Sequence, residues 1–215
     1  MTPPAGLLIS FEGSEGCGKS TQIQRLRARL EAAGRSVEVL REPGGTPVGE
    51  HIRHLLQHAP EGAALTPEAE LLLFAASRAQ LVREKIRPAL EAGRVVVLDR
   101  FLDSTTVYQG LARGLPLESV HAVNRLAVGG TLPHLTVVLD MNAQVARERI
   151  QASGRPLDRM EDQPLEFFEK VRQGYLHLAV EQPDRMVVLD AAQTPEALAD
   201  QIWKLVEERA DAFQG

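Results

Sequence analysis

The stretch Gly13–Ser20 fits the pattern GxxxxGK(S/T), a spacing that surrounds a phosphate chain with backbone amides. Its glycines let the backbone approach a ligand closely, Lys19 reaches terminal phosphates, and the Ser20 hydroxyl suits a divalent cation. A short apolar run, Leu7–Phe11, predicts a strand before it, and Thr21–Ala33 predicts a helix after it. An ordinary glycine turn is the alternative. The order strand, loop, helix favours binding of a nucleoside triphosphate.

An acidic and a basic residue close a later apolar run, in the segment Leu98-Asp99-Arg100-Phe101. An acid at the end of a strand beside a glycine loop can hold Mg²⁺ next to the loop hydroxyl. Asp99 is otherwise suited to cap the helix that follows, and the glycine loop favours the metal role. The planar guanidinium of Arg100 suits a phosphate better than an ammonium group would.

A turn rich in proline and glycine, Arg41–Thr46, follows the second predicted strand. Because the carboxyl ends of parallel strands meet at one edge of a sheet, we expect Arg41 to point into the same cleft. Turns of this composition are common, so the segment alone indicates little. Arg53 on the next helix is either another cation of the cleft or a solvated surface residue.

Phe74 and Arg78 stand four residues apart in a helical pattern and therefore share a face. Spacing alone favours a core phenylalanine beside an exposed arginine. The alternative is an aromatic plate under a planar base, with the guanidinium at the edge of the base. Tyr108 and Gln109 leave the same choice between packing and ligand recognition.

Arginines are concentrated in and before a polar segment, Ala152–Gln163, which we predict to be a mobile loop between two helices. Arg155 and Arg159 lie within it, and Arg147 lies on the preceding helix. One interpretation is a solvated basic face. The other is that the loop delivers an arginine to neutralise charge between a phosphoryl donor and its acceptor. The glycine loop itself offers no arginine, since Gly16 is neutral.

The elements that must position these residues alternate between strands and helices. The predicted strands after the first are Ser36–Leu40, Arg94–Asp99, Leu135–Asp140 and Arg185–Asp190. The middle two are continuous β-branched runs, as expected for strands covered on both faces. This alternation predicts the α/β class, with a doubly wound, five-stranded parallel sheet and ligands at the carboxyl ends of its strands. The longest helix pattern begins at Thr66-Pro67 and is disturbed at Pro88.

The composition is that of an ordinary globular domain. The 215 residues are 44% hydrophobic and 25% charged, which suits one domain over 1–215 with a small lid at about 152–163. The formal net charge of −5 argues against a nucleic-acid surface, so a few converging cations must bind any anion. There is no run long enough for a membrane span, no basic signal-peptide region, and one cysteine, Cys17. We expect a cytoplasmic protein.

Taken together, six segments resemble the thymidylate kinase family of nucleoside-monophosphate kinases, in its bacterial form. They extend from Leu7 to about Val206, nearly the whole chain. The segments are FEGSEGCGKST, REPGGTPVGEHIR, LLLFAASRAQLV, LDRFLDSTTVYQG, RERI with the arginine loop, and LDAAQTPE. The glycine loop is shared by many families, whereas REPGGT together with the DRF–YQG segment is far more specific.

The resemblance implies a P-loop kinase fold, a homodimer, and roles for individual positions. On the donor side it implies ATP binding by Gly13, Ser14, Glu15, Gly16, Cys17, Gly18, Lys19, Ser20, Thr21 and Arg147. On the acceptor side it implies dTMP binding by Glu15, Arg41, Pro43, Arg53, Phe74, Arg78, Arg100, Ser104, Thr105, Tyr108 and Gln109. The catalytic positions are Glu15, Lys19, Arg100, Arg155 and Arg159, beside the metal pair Ser20 and Asp99.

Within the acceptor set, the resemblance implies that Phe74 stacks on thymine and that Arg78 bonds the edge of the base. Tyr108 matches a tyrosine that crowds the 2′ position and favours deoxyribose, and Glu15 matches an acid close to the 3′-hydroxyl. Gly16 occupies the position that carries arginine in eukaryotic members. We therefore expect the lid to supply the arginine that stabilises phosphoryl transfer.

The prediction is Mg²⁺-dependent transfer of the ATP γ-phosphoryl group to dTMP, giving dTDP and ADP for dTTP synthesis. The residue types fit this reaction. The sequence offers arginines and a metal site but no general base, and an acceptor oxygen that is already anionic needs none. One rival is a kinase for another pyrimidine nucleotide or a deoxynucleoside. A more distant rival is a nucleotide-dependent switch that needs no small-molecule acceptor.

Overall fold

Five strands form one parallel sheet in a computed structural model that describes residues 6–154 and 157–212. The strand order is β2-β3-β1-β4-β5, with β1 at the centre. The strands are β1 (Leu7–Glu12), β2 (Val37–Arg41), β3 (Val95–Asp99), β4 (Leu135–Asp140) and β5 (Met186–Asp190). All four pairings are parallel, so the predicted five-stranded parallel sheet is confirmed.

Helices connect successive strands. The α-helices are α1 (Lys19–Ala32), α2 (Pro47–Gln57), α3 (Pro67–Leu81), α4 (Arg87–Glu91), α5 (Leu102–Thr105), α6 (Leu117–Val128), α7 (Ala143–Ala152), α8 (Leu165–Glu181) and α9 (Pro195–Ala212). A 3₁₀ turn occupies Pro60–Ala64, and π-helical turns occupy Val82–Ile86 and Thr106–Ala112. The sheet and helices together give the α/β architecture that the sequence predicts.

Each face of the sheet packs against its own set of helices, because successive strand residues point to opposite sides. On one face, Leu7 and Ile9 of β1 lie in a hydrophobic cluster with residues of α1 and α9. On the other face, Leu8 packs with Leu81 and Ile86. All six residues of β1 are buried, which explains why the sequence of this central strand is mostly apolar.

The longest predicted helix is present, with a π-helical turn before Pro88. It begins at Pro67, and the Thr66 hydroxyl accepts a hydrogen bond from the Ala69 amide at 3.3 Å, as expected for a cap. It continues through Val82–Ile86 directly into α4. Proline has no N–H and its ring crowds the carbonyl one turn earlier, so the backbone widens locally there.

The carboxyl ends of three neighbouring strands bring the predicted site residues together. In the sheet register, Phe11 of β1 pairs with Asp99 of β3, and Asp99 pairs with Arg41 of β2. The glycine loop follows β1 directly. The loop, the acid and the arginine therefore share one edge of the sheet, where ligands of such folds bind.

The predicted lid falls in the connection between α7 and α8. Arg155 and Pro156 lie outside the described residues. Residues 157–163 form turns against α2 and α3, through contacts of Arg159. Along the described ranges 6–154 and 157–212, no helix has the length and apolar character needed to cross a membrane.

Candidate active site

The glycine loop between β1 and α1 depends on glycine at positions where a side chain does not fit. Gly13, Gly16 and Gly18 have φ angles of 129°, 77° and 97°, a region that favours glycine. A Cβ atom at Gly13 would lie 2.5 Å from the Leu139 carbonyl oxygen, and one at Gly16 would lie 2.5 Å from that of Ala146. The loop is thus wedged between β4 and α7, which fixes its curvature.

Lys19 folds back over the loop at the start of α1. Its ammonium group donates hydrogen bonds to the carbonyl oxygens of Gly13 (3.1 Å) and Ser14 (2.9 Å). The N-cap residue of α1 is Gly18, and no side-chain cap bonds the first N–H groups of this helix in the described chain. A helix N-terminus with an adjacent ammonium group is an anion-binding arrangement.

Ser20 and Asp99 meet at the mouth of this loop. The Ser20 hydroxyl lies 3.5 Å from Asp99 Oδ2, and Ser20 is exposed. The alternative prediction, that Asp99 caps the next helix, is wrong, because the N-cap of α5 is Phe101 and no side chain of the described ranges caps it. A hydroxyl and a carboxylate side by side are the hard oxygen ligands that Mg²⁺ prefers.

An open space of about 1250 Å³ in front of the loop gathers four cationic side chains. We call it the cation cleft, and its cations are Lys19, Arg41, Arg53 and Arg100. Burial, together with the positive charge of Arg41, lowers the pKa of Arg53, which reflects how closely the cations are crowded. Local convergence of cations therefore creates an anion site in a chain of net negative charge.

The proline–glycine turn after β2 positions two of these cations. Arg41 Nη1 and Arg53 Nη1 both donate to the Pro43 carbonyl oxygen, at 3.2 and 3.0 Å. Arg41 also pairs with Glu50 at 2.9 Å, and the Gly45 amide donates to the same carboxylate at 2.7 Å. The turn places both guanidinium groups in the cleft, so Arg53 is not merely a surface residue.

A second space of about 400 Å³, the inner cavity, lies beside the cation cleft. Its walls include Phe74, Arg78, Thr105, Tyr108 and Gln109. Both spaces are also lined by Glu15, Glu42, Gln57 and Arg100, so they form one continuous depression. An aromatic wall with a few polar groups suits a small planar ligand.

Arg78 is buried in the wall of the inner cavity, so the interpretation that spacing alone favoured, an exposed arginine, is wrong. It is 1% exposed and pairs with Glu42 at 2.6 Å. It also donates to Asn124 Oδ1 and Thr105 Oγ1, each at 2.9 Å, and to the Phe101 carbonyl oxygen at 3.3 Å. These partners fix the orientation of the guanidinium group beside the cavity.

Glu15 stands at the junction of the two spaces and joins Arg100 to Tyr108. Arg100 Nη2 lies 2.6 Å from Glu15 Oε1, and the Tyr108 hydroxyl donates to Glu15 Oε2 at 2.8 Å. Burial raises the pKa of Tyr108, so its hydroxyl stays protonated and donates. Arg100 has a φ of 71°, the only positive value among the described non-glycine residues, and strain of this kind is typical of functional sites.

Sequence reasoning missed Glu12, the last residue of β1. Its carboxylate is 0% exposed and accepts from the Phe101 amide (2.8 Å), the Ser104 hydroxyl (2.6 Å) and the Tyr175 hydroxyl (2.8 Å). Burial, with a contribution from nearby Asp103, raises its pKa from 4.5 to about 7. An acidic residue ending an otherwise buried strand was the available signal.

Two side chains of the lid lie on the inner-cavity side, where Met160 forms part of the wall. Arg159 pairs with Glu70 at 2.6 Å and donates to the Leu56 carbonyl oxygen at 2.8 Å, and it does not line the cation cleft. The other lid arginine, Arg155, lies outside the described residues. The catalytic role of both arginines stays a prediction.

The remaining donor-side residues lie around a third space of about 420 Å³, between the glycine loop, α7 and the lid. Arg147 lines it together with Ser14 and Glu15. Cys17 is buried in the core on the α1 side of the sheet, which supports its interpretation as a small loop residue. Thr21 is exposed on the first turn of α1.

The loop end of this depression suits a polyphosphate, the inner cavity suits a small planar molecule, and the cation cleft lies between them. This division places the protein in the class of P-loop nucleoside-monophosphate kinases. A sequence profile described as thymidylate kinase matches residues 11–202. The chain therefore belongs to the thymidylate kinase family, and the resemblance seen in the sequence is confirmed.

Individual relatives are similar to this chain over nearly their whole length. The chain is 47% identical over 204 residues to the thymidylate kinase of Deinococcus radiodurans, covering 95% of this chain and 98% of the relative. It is 50% identical over 200 residues to that of Syntrophotalea carbinolica, covering 91% and 92%. The solved structure of thymidylate kinase from Ehrlichia chaffeensis matches with a TM-score of 0.75 at 28% identity, covering 95% of this chain and 99% of that one.

Proposed function

We propose that this chain transfers the γ-phosphoryl group of ATP to dTMP, producing dTDP and ADP. The observation that carries the proposal is the continuity of the cation cleft with the inner cavity, through shared walls at Glu15 and Arg100. A donor held at the glycine loop and an acceptor seated in the cavity meet at the four cations. Phosphoryl transfer depends on this kind of positioning and charge neutralisation.

On the donor side, the glycine loop and the N-terminus of α1 hold the triphosphate of ATP, and Lys19 contacts its terminal phosphates. Ser20 and Asp99 fit Mg²⁺, because their oxygens lie 3.5 Å apart at the mouth of the loop. When bound, the ion neutralises phosphate charge. We assign Arg147 of α7, which lines the third space beside the loop, to the nucleoside part of the donor.

On the acceptor side, Arg41, Arg53 and Arg100 hold the phosphate of dTMP. Phe74 supplies the stacking surface for thymine, and polar groups of the inner cavity select the base and sugar. These selecting and flanking residues are Glu15, Pro43, Arg78, Ser104, Thr105, Tyr108 and Gln109.

No general base is required, since the attacking oxygen belongs to a phosphate that is already anionic at neutral pH. Arg155 is the lid residue we assign to the developing charge, because the guanidinium of Arg159 is engaged by Glu70. The enzyme acts as a cytoplasmic homodimer and binds neither nucleic acid nor membrane.

A panel of acceptors tests the proposal: ADP formation from ATP and Mg²⁺ is measured with dTMP, dUMP, CMP, AMP and thymidine. We expect strong stimulation by dTMP and a preference for it over every other acceptor. A preference for another acceptor would assign the chain to a different kinase specificity. Slow ATP hydrolysis that ignores all five acceptors would instead favour the nucleotide switch.

A further inference from the structure

Glu70 on α3 is a buried carboxylate that binds donors from two separate parts of the chain. Its side chain is 2% exposed. Gln109 Nε2 donates to Oε1 at 2.8 Å, and Arg113 pairs with the same oxygen at 2.7 Å. Arg159 of the lid donates to Oε2 at 2.6 Å. One carboxylate thus joins the turn that walls the inner cavity to the lid.

The lid docks on α2 as well as on Glu70. The Arg159 guanidinium donates to the Leu56 carbonyl oxygen at 2.8 Å, and its backbone amide donates to the Gln57 carbonyl oxygen at 3.3 Å. These carbonyls belong to the last turn of α2, where helices lack internal donors and cations bind favourably. A single arginine therefore anchors the lid by its side chain and its backbone.

Docking of the lid completes the inner cavity. Met160 follows Arg159 in the chain, is 5% exposed, and lines the cavity with Phe74 and Gln109. Asp158 Oδ1 accepts from the amides of Met160 and Glu161, at 2.8 and 2.9 Å, which holds this turn together. If Arg159 left Glu70, the Met160 wall would lose its anchor.

We propose that Glu70 is a positioning residue for acceptor binding. It orients Gln109 and holds Arg159, and through Arg159 it keeps residues 157–163 docked beside the acceptor. The inference rests on the proposed function, since it takes the inner cavity as the dTMP site. An acceptor base that fixes Gln109 also fixes Glu70, and Glu70 then holds Arg159 and Met160 in place. In this arrangement Arg159 serves closure of the acceptor pocket, and its charge is neutralised by Glu70 before any phosphate is contacted.

The test is steady-state kinetics and dTMP titration calorimetry on Glu70→Gln, Arg159→Ala and the double variant. We expect KM and Kd for dTMP to rise about tenfold in each single variant, since a charge-assisted hydrogen bond is lost. The losses in the double variant should be less than additive, because either single change already removes the Glu70–Arg159 ion pair. The KM for ATP should stay within about threefold of the original chain, as expected when the change affects acceptor binding.

Glu68→Gln is the matched control, since Glu68 is an exposed carboxylate two residues earlier on α3. It should leave dTMP affinity unchanged. Amide hydrogen exchange over residues 157–163 provides a second readout, with dTMP increasing protection in the original chain and not in Arg159→Ala. Should Glu70→Gln fail to fold, Arg159→Ala and the exchange measurement decide alone.

Unchanged dTMP affinity in Glu70→Gln and Arg159→Ala would overturn the proposed positioning role of Glu70. A large fall in kcat with unchanged dTMP affinity in Arg159→Ala would overturn it too, and would assign Arg159 to charge neutralisation in the transfer step. Additive losses in the double variant would also overturn the proposal, because they would show that Glu70 and Arg159 act separately. Failure of the original chain to bind and phosphorylate dTMP would refute the proposed function itself, which these variants do not test.

Discussion

The buried carboxylate of Glu12 accepts hydrogen bonds from two hydroxyl groups that also contact Arg100 of the cation cleft. It accepts from the hydroxyls of Ser104 and Tyr175, and both hydroxyls lie within 3.2 Å of Arg100 Nη1. Arg100 in turn contacts Glu15 at the junction with the inner cavity. Through these two hydroxyl groups, Glu12 positions the arginine that we propose binds the acceptor phosphate.

Glu12→Gln should change how stability depends on pH. Because burial raises the pKa of Glu12 from 4.5 to about 7, the folded chain keeps a proton that the unfolded chain releases over that interval. The unfolding free energy of the original chain should fall relative to that of the variant as pH rises from 4.5 to 7, by about 3 kcal/mol in total at ~1.4 kcal/mol per pKa unit. Urea denaturation between pH 4.5 and 8 measures the difference.

Above pH 7 the difference in unfolding free energy between the two chains should level off, because Glu12 is then ionised in both states. Glu207→Gln, which removes an exposed carboxylate of α9, is the control and should give a nearly constant difference. A pH-independent difference for Glu12→Gln would mean that the buried carboxylate does not titrate as described.

The sequence indicated which residues belong to the site better than it indicated whether they are buried or exposed. Lys19, Ser20, Asp99 and Arg100 were predicted because their spacing follows the loop and the strand ends. Helical spacing predicted Arg78 on the surface, but it is buried and pairs with Glu42. That partner lies 36 positions away in the chain. Pairings of this kind depend on tertiary structure, which local spacing does not encode.

Among the elements, the contact between the glycine loop and α7 governs what the loop tolerates. A Cβ at Gly16 would approach Ala146 O of α7 to 2.5 Å, and a backbone atom of a packed helix cannot move aside cheaply. The resemblance places arginine at this position in eukaryotic members. In this chain α7 leaves no room for any side chain there, which supports our proposal that the lid supplies the arginine.

Comparing Gly16→Ala with Gly34→Ala separates this contact from backbone strain. The two glycines have similar φ angles, 77° and 73°, but a Cβ at Gly34 meets nothing within 4 Å. Gly34→Ala should cost about 1–2 kcal/mol of unfolding free energy from strain alone. Gly16→Ala should cost at least about 2 kcal/mol more, as expected for overpacking, and should weaken ATP binding.

Urea denaturation and ATP titration of both variants provide the measurement. Equal losses of stability in Gly16→Ala and Gly34→Ala would contradict the assigned contact, since backbone strain alone would then explain both losses.

Element boundaries were predictable where burial repeats regularly. The strands begin and end within one residue of their expected positions. The boundaries are clearest for β3 and β4, which are nearly continuous apolar runs because both of their faces are covered. The π-helical turns at Val82–Ile86 and Thr106–Ala112 were not predicted. Pro88 signalled a disturbance in the first, but whether a helix widens, bends or stops there depends on the helices packed around it.

Across the whole molecule, parallel strands ending at one edge convert distant sequence segments into one site. The loop after β1, Asp99 after β3 and Arg41 after β2 could be brought together from the sequence, because the fold class implies that edge. The junction of Arg159 with Glu70 could not, because the two residues are 89 positions apart and no periodic pattern links them. This pairing could therefore be identified only from the structure.

In the proposed reaction, donor and acceptor lie end to end, with their phosphates at the four cations. A crystal structure with a bisubstrate molecule that joins adenosine to thymidine through a phosphate chain tests it most directly. We expect thymine in the inner cavity against Phe74 and adenosine on the glycine-loop side. The phosphates should lie among Lys19, Arg41, Arg53 and Arg100. A thymine ring found in solvent, with the inner cavity empty, would contradict it.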